Sequence, residues 1–163
     1  MTLIIREFNE RDFKAVTELW NDTVKAGIFF PQENQLNSKE AKIFFAEQSY
    51  VGIAELDNEI VGLYILHPNS IGRCGHIANS SYAVKNGKRG NHIGEELVKN
   101  SLEIARKLSF RLLQFNAVVV SNFSAIHLYK KLGFKELGRI PDGFRLDNGT
   151  YEDIISFYIE LTN

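Results

Sequence analysis

Lys85-Asn86-Gly87-Lys88-Arg89-Gly90-Asn91-His92-Ile93-Gly94 is the stretch on which the fold turns. It follows an apolar run, His76 to Val84, that reads as a strand. It opens onto Ile93 to Leu108, where Ile93, Leu97, Ile104, Ala105 and Leu108 mark one helical face. A helix start presents unpaired backbone N–H groups and a partial positive charge, so phosphate binds there without a dedicated side chain. Gly90 and Gly94 let the backbone approach a ligand, and Lys88 and Arg89 add formal charge. Spacing alone leaves two readings equally open, a phosphate cradle and an ordinary helix-capping turn.

Working outward, Leu112 to Val120 is nearly continuous in apolar and β-branched residues, as a central buried strand should be. Ser124 to Leu132 reads as a second helix, with Ala125, Leu128, Tyr129 and Leu132 on one face and Gly133 placed to end it. Phe134 to Gly138 and Tyr151 to Leu161 read as closing strands. Upstream, Tyr50 to Glu55 and Glu59 to Leu66 form a predicted hairpin around Leu56-Asp57-Asn58. Leu3 to Arg6 reads as a strand. Asn9 is a predicted N-cap for a helix carrying Phe13, Val16, Leu19, Trp20 and Val24, closed by Gly27; Ser38 is a predicted N-cap for a shorter one. The order β α α β β β α β α β β implies an α+β (mixed α/β) fold, one domain over residues 1–163.

Composition bounds the function. The chain has 163 residues, 44% hydrophobic and 24% charged, enough for one sizeable core. A net charge of −1 provides no global field for nucleic acid or an anionic membrane. No apolar stretch approaches a membrane span, and the N-terminal apolar run is too short for a signal peptide. One cysteine, Cys74, excludes an internal disulfide and suits a reducing, cytoplasmic setting. His67, His76, His92 and His127 show no metal-ligand spacing, so no metal is expected. The P-loop, the dinucleotide fingerprint and the Gly-x-Ser-x-Gly elbow are all absent.

Two motifs together carry a resemblance. Arg89 to Gly94 resembles motif A of the GNAT superfamily, the acyl-CoA-dependent N-acyltransferases, which reads Arg/Gln-x-x-Gly-x-Gly/Ala between a strand and a helix. About thirty residues on, Asn122-Phe123-Ser124-Ala125-Ile126-His127-Leu128-Tyr129-Lys130-Lys131-Leu132-Gly133-Phe134 resembles the family's Asn-x-x-Ala-x-x-Leu-Tyr-x-Lys-Leu-Gly-Phe signature. The resemblance implies a mostly antiparallel mixed sheet of about seven strands flanked by about four helices. It implies acetyl-CoA as acyl donor, and a homodimer as a candidate assembly.

By the same resemblance, Ala83 and Val84 hold the pantetheine arm through their backbone, and Arg89, Gly90, Asn91, His92, Ile93 and Gly94 hold the pyrophosphate. Asn122 and Ser124 continue the cofactor site, and Tyr129 protonates the departing thiolate. His92 stands where the family has its central glycine; the reading adopted places it in the first helical turn, pointing outward. No carboxylate lies on His76 to Tyr82, which favours a water relay or an amine that binds neutral; His76 is the alternative base.

Asn116 interrupts an apolar run, and a buried amide needs partners. Asn79, Asn116 and Asn122 together resemble a branch that acetylates small amino acids and proline analogues. This implies that Asn79 and Asn116 position a small-molecule amine, with Asn79 at the reacting centre. Gly138 to Arg145 is a candidate lid with Phe144 as a substrate contact, and Phe29, Phe30 and Pro31 are candidates for the opposite wall. A peptide acceptor and a non-catalytic acyl-CoA-binding regulator are the alternatives.

Overall fold

The computed structural model describes residues 1–162. The strands are β1 (Leu3–Glu7), β2 (Tyr50–Leu56), β3 (Glu59–Pro68), β4 (Ile77–Val84), β5 (Leu112–Val119), β6 (Lys135–Arg145) and β7 (Tyr151–Glu160). The helices are α1 (Phe13–Ala26), α2 (Ser38–Ala46), α3 (Ile93–Lys107) and α4 (Phe123–Lys131). The strands form one seven-stranded sheet in the order β1-β2-β3-β4-β5-β7-β6. Every neighbouring pair is antiparallel except β4 and β5. This is the expected fold class and element order.

Alternation along β3 explains the layering. Tyr64 and Leu66 join a core beneath α3 with Leu97, Val98 and Phe157. Leu63 and Ile65 point to the other face and join Trp20, Phe45 and Ile53 beneath α1 and α2. Side chains of a strand alternate between faces, so a strand covered on both sides is apolar throughout. The Tyr64 hydroxyl donates to Asn100 Oδ1 at 2.7 Å, tying β3 to α3.

The caps differ in detail from the expectation. Asn9 does form a capping box with Asp12, but over a single 3₁₀ turn before α1. Asn37, not Ser38, caps α2, in a reciprocal box with Glu40. The larger difference is β6. It runs to Arg145, so the proposed lid segment is strand, paired with β7 through two register shifts. Nearly all of β6 is exposed, so it lacks the apolar alternation that reveals a half-buried strand. Phe144 is buried against Val119 and Ile154 on the sheet.

Candidate active site

The site exists because β4 and β5 part company. Their parallel pairing is confined to Ile77 with Leu112 and Ala78 with Leu113. The last crosslink is Asn79, whose Nδ2 donates to the Gln114 carbonyl at 2.8 Å. Beyond it the strands diverge around a cavity of about 560 Å³. A bulge on the far side widens the fork: β5 pairs with β7 at Phe115 and again at Val118, leaving Asn116 and Ala117 opposite Ser156.

One rim of the cleft is the start of α3. No side chain caps this helix, so its first N–H groups remain available to an anion. Gly90 has φ 88° and His92 has φ 58°. The reading that put residue 92 inside the first helical turn is therefore corrected: His92 is the N-cap, left-handed, and the helix starts at Ile93. Its side chain is 79% exposed and 3.7 Å from Glu95. Crowding is avoided because the imidazole faces solvent. Lys88 contributes less charge than its position suggests, since its ammonium lies 3.2 Å from Glu59.

The other rim is the start of α4. Asn122 is its N-cap, and its Oδ1 accepts from the Ala125 N–H at 3.4 Å. The far end of α4 fixes Tyr129. Gly133, at φ 96°, donates to the Lys130 carbonyl at 3.1 Å, and Phe134 donates to the Tyr129 carbonyl at 2.9 Å. These two bonds are the Schellman arrangement, which brings an apolar residue back over the last turn. Here that residue is Phe134, whose ring centroid lies 5.4 Å from that of Tyr129. Phe115 closes on Tyr129 at 4.4 Å. Burial among these rings, with Tyr82 nearby, raises the Tyr129 phenol well above its ordinary value of 10.0, so it stays protonated. Tyr82 is pushed up to about 12 by burial; its hydroxyl lies 2.7 Å from Ser101 Oγ. The Ser101 Oγ donates onward to the Val98 carbonyl, so Tyr82 is the donor to Ser101.

Asn79, Ala83, Val84, Arg89, Gly90, His92, Ile93, Gly94, Asn116, Asn122, Ser124 and Tyr129 all line this one cleft, as do Phe29, Phe30 and Pro31. Asn91 turns its amide to the Lys88 carbonyl at 3.0 Å instead. Phe144 does not line this cleft; it packs against Val119 and Ile154 and borders a second cavity that Phe30 and Pro31 share. Asn116 is exposed at the cleft mouth, which corrects the expectation of a buried amide. His76 is exposed and outside the lining, which removes it as a base in this geometry.

Several lining residues escaped the sequence reading. Thr23 of α1 lines the cleft. Glu95 receives hydrogen bonds from Lys131 and Lys99, which hold its carboxyl down to about 2. The 2.8 Å pair with Lys131 links α3 to α4 across the cleft. An acidic residue in the first turn of α3 was the available signal, but it reads as ordinary helix chemistry. Arg89 lies 4.6 Å from the centroid of the Phe29 ring, joining the loop before α3 to the segment between α1 and α2. Among the described residues no cluster of three or more His, Cys, Asp or Glu can hold a metal ion. Among the described residues no helix is long and apolar enough to cross a membrane.

Comparison with known proteins agrees with this geometry. Residues 10–134 match the model of the "Acetyltransferase (GNAT) family". The N-acetyltransferase aca1 of Schizosaccharomyces pombe is 26% identical over 167 residues, covering 92% of this chain and 79% of the relative. A GCN5-related N-acetyltransferase from Kribbella flavida superposes with a TM-score of 0.89 at 26% identity, over 97% of each chain. A GNAT superfamily phosphinothricin acetyltransferase from Sinorhizobium meliloti, solved with AcCoA, has the same fold: TM-score 0.90, 19% identity, 98% of this chain and 89% of that one. With the match spanning most of the chain, and the forked β4–β5 cleft between an uncapped helix start and a half-buried tyrosine, the protein belongs to the acetyltransferase (GNAT) family.

Proposed function

We propose that the chain acetylates the amine of a small metabolite, an amino acid or close analogue, by direct attack on the thioester in a ternary complex. The observation that carries this reading is the apolar wall that the segment between α1 and α2 adds to the cleft. Phe29, Phe30 and Pro31 wall it, and Arg89 stacked on Phe29 ties that wall to the loop before α3. A peptide acceptor needs a long polar groove, whereas an apolar-walled cleft with a few convergent polar groups suits a small ligand. The phosphinothricin acetyltransferase of like fold is consistent with an amino-acid-like acceptor.

In this reading the pyrophosphate lies on the free N–H groups at the start of α3, beside Arg89, Gly90 and Gly94. The pantetheine runs along the unpaired edge of β4 at Ala83 and Val84, with Asn122 and Ser124 on the opposite rim. The cleft fits such a donor: a Cβ added at Gly94 would touch only Val84, at 3.9 Å. Tyr129 donates its proton to the departing thiolate. Glu95, held ionised by two lysines, is too weak a base to take a proton from an ammonium. The amine therefore enters neutral or loses its proton to water, and proximity supplies much of the acceleration. Asn79 and Asn116 orient the acceptor.

A cytoplasmic setting fits the free, exposed thiol of Cys74. A homodimer fits the exposed Leu137, Ile140 and Tyr151 on the two last strands. The activity is tested by thiol release from acetyl-CoA with glycine, L-proline, phosphinothricin, spermidine and an alanine-initiated peptide. Turnover confined to the amino-acid-like amines supports the proposal; preference for the peptide overturns it.

A further inference from the structure

We propose that Asn69, in the turn between β3 and β4, is a positioning residue for the acceptor, acting through the amide of Asn116. The inference rests on the assignment of Asn116 to the acceptor site. Because of the bulge opposite Ser156, the Asn116 carbonyl accepts from Ser156 Oγ at 3.1 Å. The Asn116 side chain, on the face opposite Phe115, is exposed at the cleft mouth. An exposed amide samples several rotamers unless something holds it. Here both ends are held. Asn116 Nδ2 donates to Asn69 Oδ1 at 2.7 Å, and Asn116 Oδ1 accepts from Gln114 Nε2 at 3.2 Å. Asn69 is itself anchored, because its backbone N–H donates to the Ile77 carbonyl at 2.7 Å, at the closed end of the fork.

This arrangement gives the acceptor end a polarity. The Gln114 carbonyl can only accept, so Asn79 must present Nδ2 to it and keep Oδ1 free. Asn116, with one amide hydrogen on Asn69, keeps the other for a ligand. The pair therefore offers an acceptor for an amine N–H and a donor for an oxygen close to that amine. An α-amino acid carries both groups. Once such a ligand displaces water from the mouth, the Asn69 to Asn116 bond strengthens as the local dielectric falls.

The test combines a double-mutant cycle with the side-chain amide spectrum of 15N-labelled protein. The kinetic probe is whichever amine of the panel above has the highest kcat/KM. N69A is expected to raise its KM roughly 3- to 10-fold, leaving kcat and the KM for acetyl-CoA within about twofold. In an N116A background the same change should add nothing, since the effect travels through Asn116. The Asn116 amide pair, identified by its loss in N116A, should move in N69A and stay in N69D, which retains an acceptor oxygen. If N116A raises the KM and N69A does not, or if N69A adds its full effect without Asn116, the inference is wrong while the acceptor assignment stands. If N116A leaves the KM of every amine unchanged, that assignment fails and the inference with it. An unmoved Asn116 amide pair in folded N69A overturns the inference whatever the acceptor.

Discussion

At the scale of single residues, Tyr129 and His92 bear the most. The half-buried Tyr129 phenol is shifted upward, away from ionisation. A group so shifted stays protonated through the neutral and moderately alkaline range, so it brings no basic limb to the pH profile below about pH 10. Removing its hydroxyl as Y129F should lower kcat by about 10²-fold or more, with the KM for acetyl-CoA little changed. Steady-state kinetics across pH 6–10 checks this; turnover unchanged at every pH would remove Tyr129 as the acid. With no carboxylate on β4 and Glu95 held ionised by two lysines, kcat/KM should climb with pH toward the pKa of the amine itself. His92 has the opposite character, since its contribution lies in the backbone. At φ 58° it occupies a conformation open to glycine and tolerated by histidine, but costly for a β-branched side chain. H92G should keep acetyl-CoA affinity and stay within about 1 kcal/mol of the parent stability. H92V should lose affinity, measured by calorimetric titration. Equal affinity in both variants would mean that this conformation does not matter to the ligand.

At the scale of elements, the ends of helices were more legible than the surfaces of strands. The Leu132-Gly133-Phe134 ending was readable because a left-handed residue and an apolar return are sequence-local requirements. The structure adds the reason it matters: the return residue packs on the catalytic candidate Tyr129. G133A should cost at least about 1 kcal/mol at such a positive φ, read by denaturant unfolding; an unchanged midpoint would mean that this helix ending has relaxed. The full extent of β6 was not legible. Its exposed face has no apolar alternation, and Pro141, Asp142 and Gly143 read as loop, although they sit within a bulged edge strand. Phe144 was misplaced for the same reason. Asn116 was misjudged because it lies on the face opposite Leu113 and Phe115, and that face of β5 is uncovered at this position.

At the scale of the molecule, the sheet is held at its other edge by charge. Arg6 of β1 makes a two-pronged contact with Asp12, at 2.8 and 2.9 Å, and reaches Glu55 of β2 at 2.6 Å. The Asp12 side chain is only 4% exposed, and hydrogen bonding from Arg6 holds its carboxyl below the usual 3.8. A depressed carboxyl contributes stability that is fully present above its unfolded pKa and is lost as pH falls through the folded one. D12N should therefore cost about 2 kcal/mol at pH 7 and flatten the acid limb below about pH 4. Thermal unfolding from pH 2 to 7 checks it, and an unaltered acid limb would rule Asp12 out as its source. The fork between β4 and β5 is the molecule-wide feature from which the function follows, because it exposes strand edges between two helix starts. The most direct measurement is a crystal structure with CoA bound. The pyrophosphate oxygens should lie within about 3 Å of the backbone N–H groups of Ile93, Gly94 and Glu95, with the thiol directed toward Tyr129. Phosphates bound away from the start of α3, or a thiol directed away from Tyr129, would contradict it.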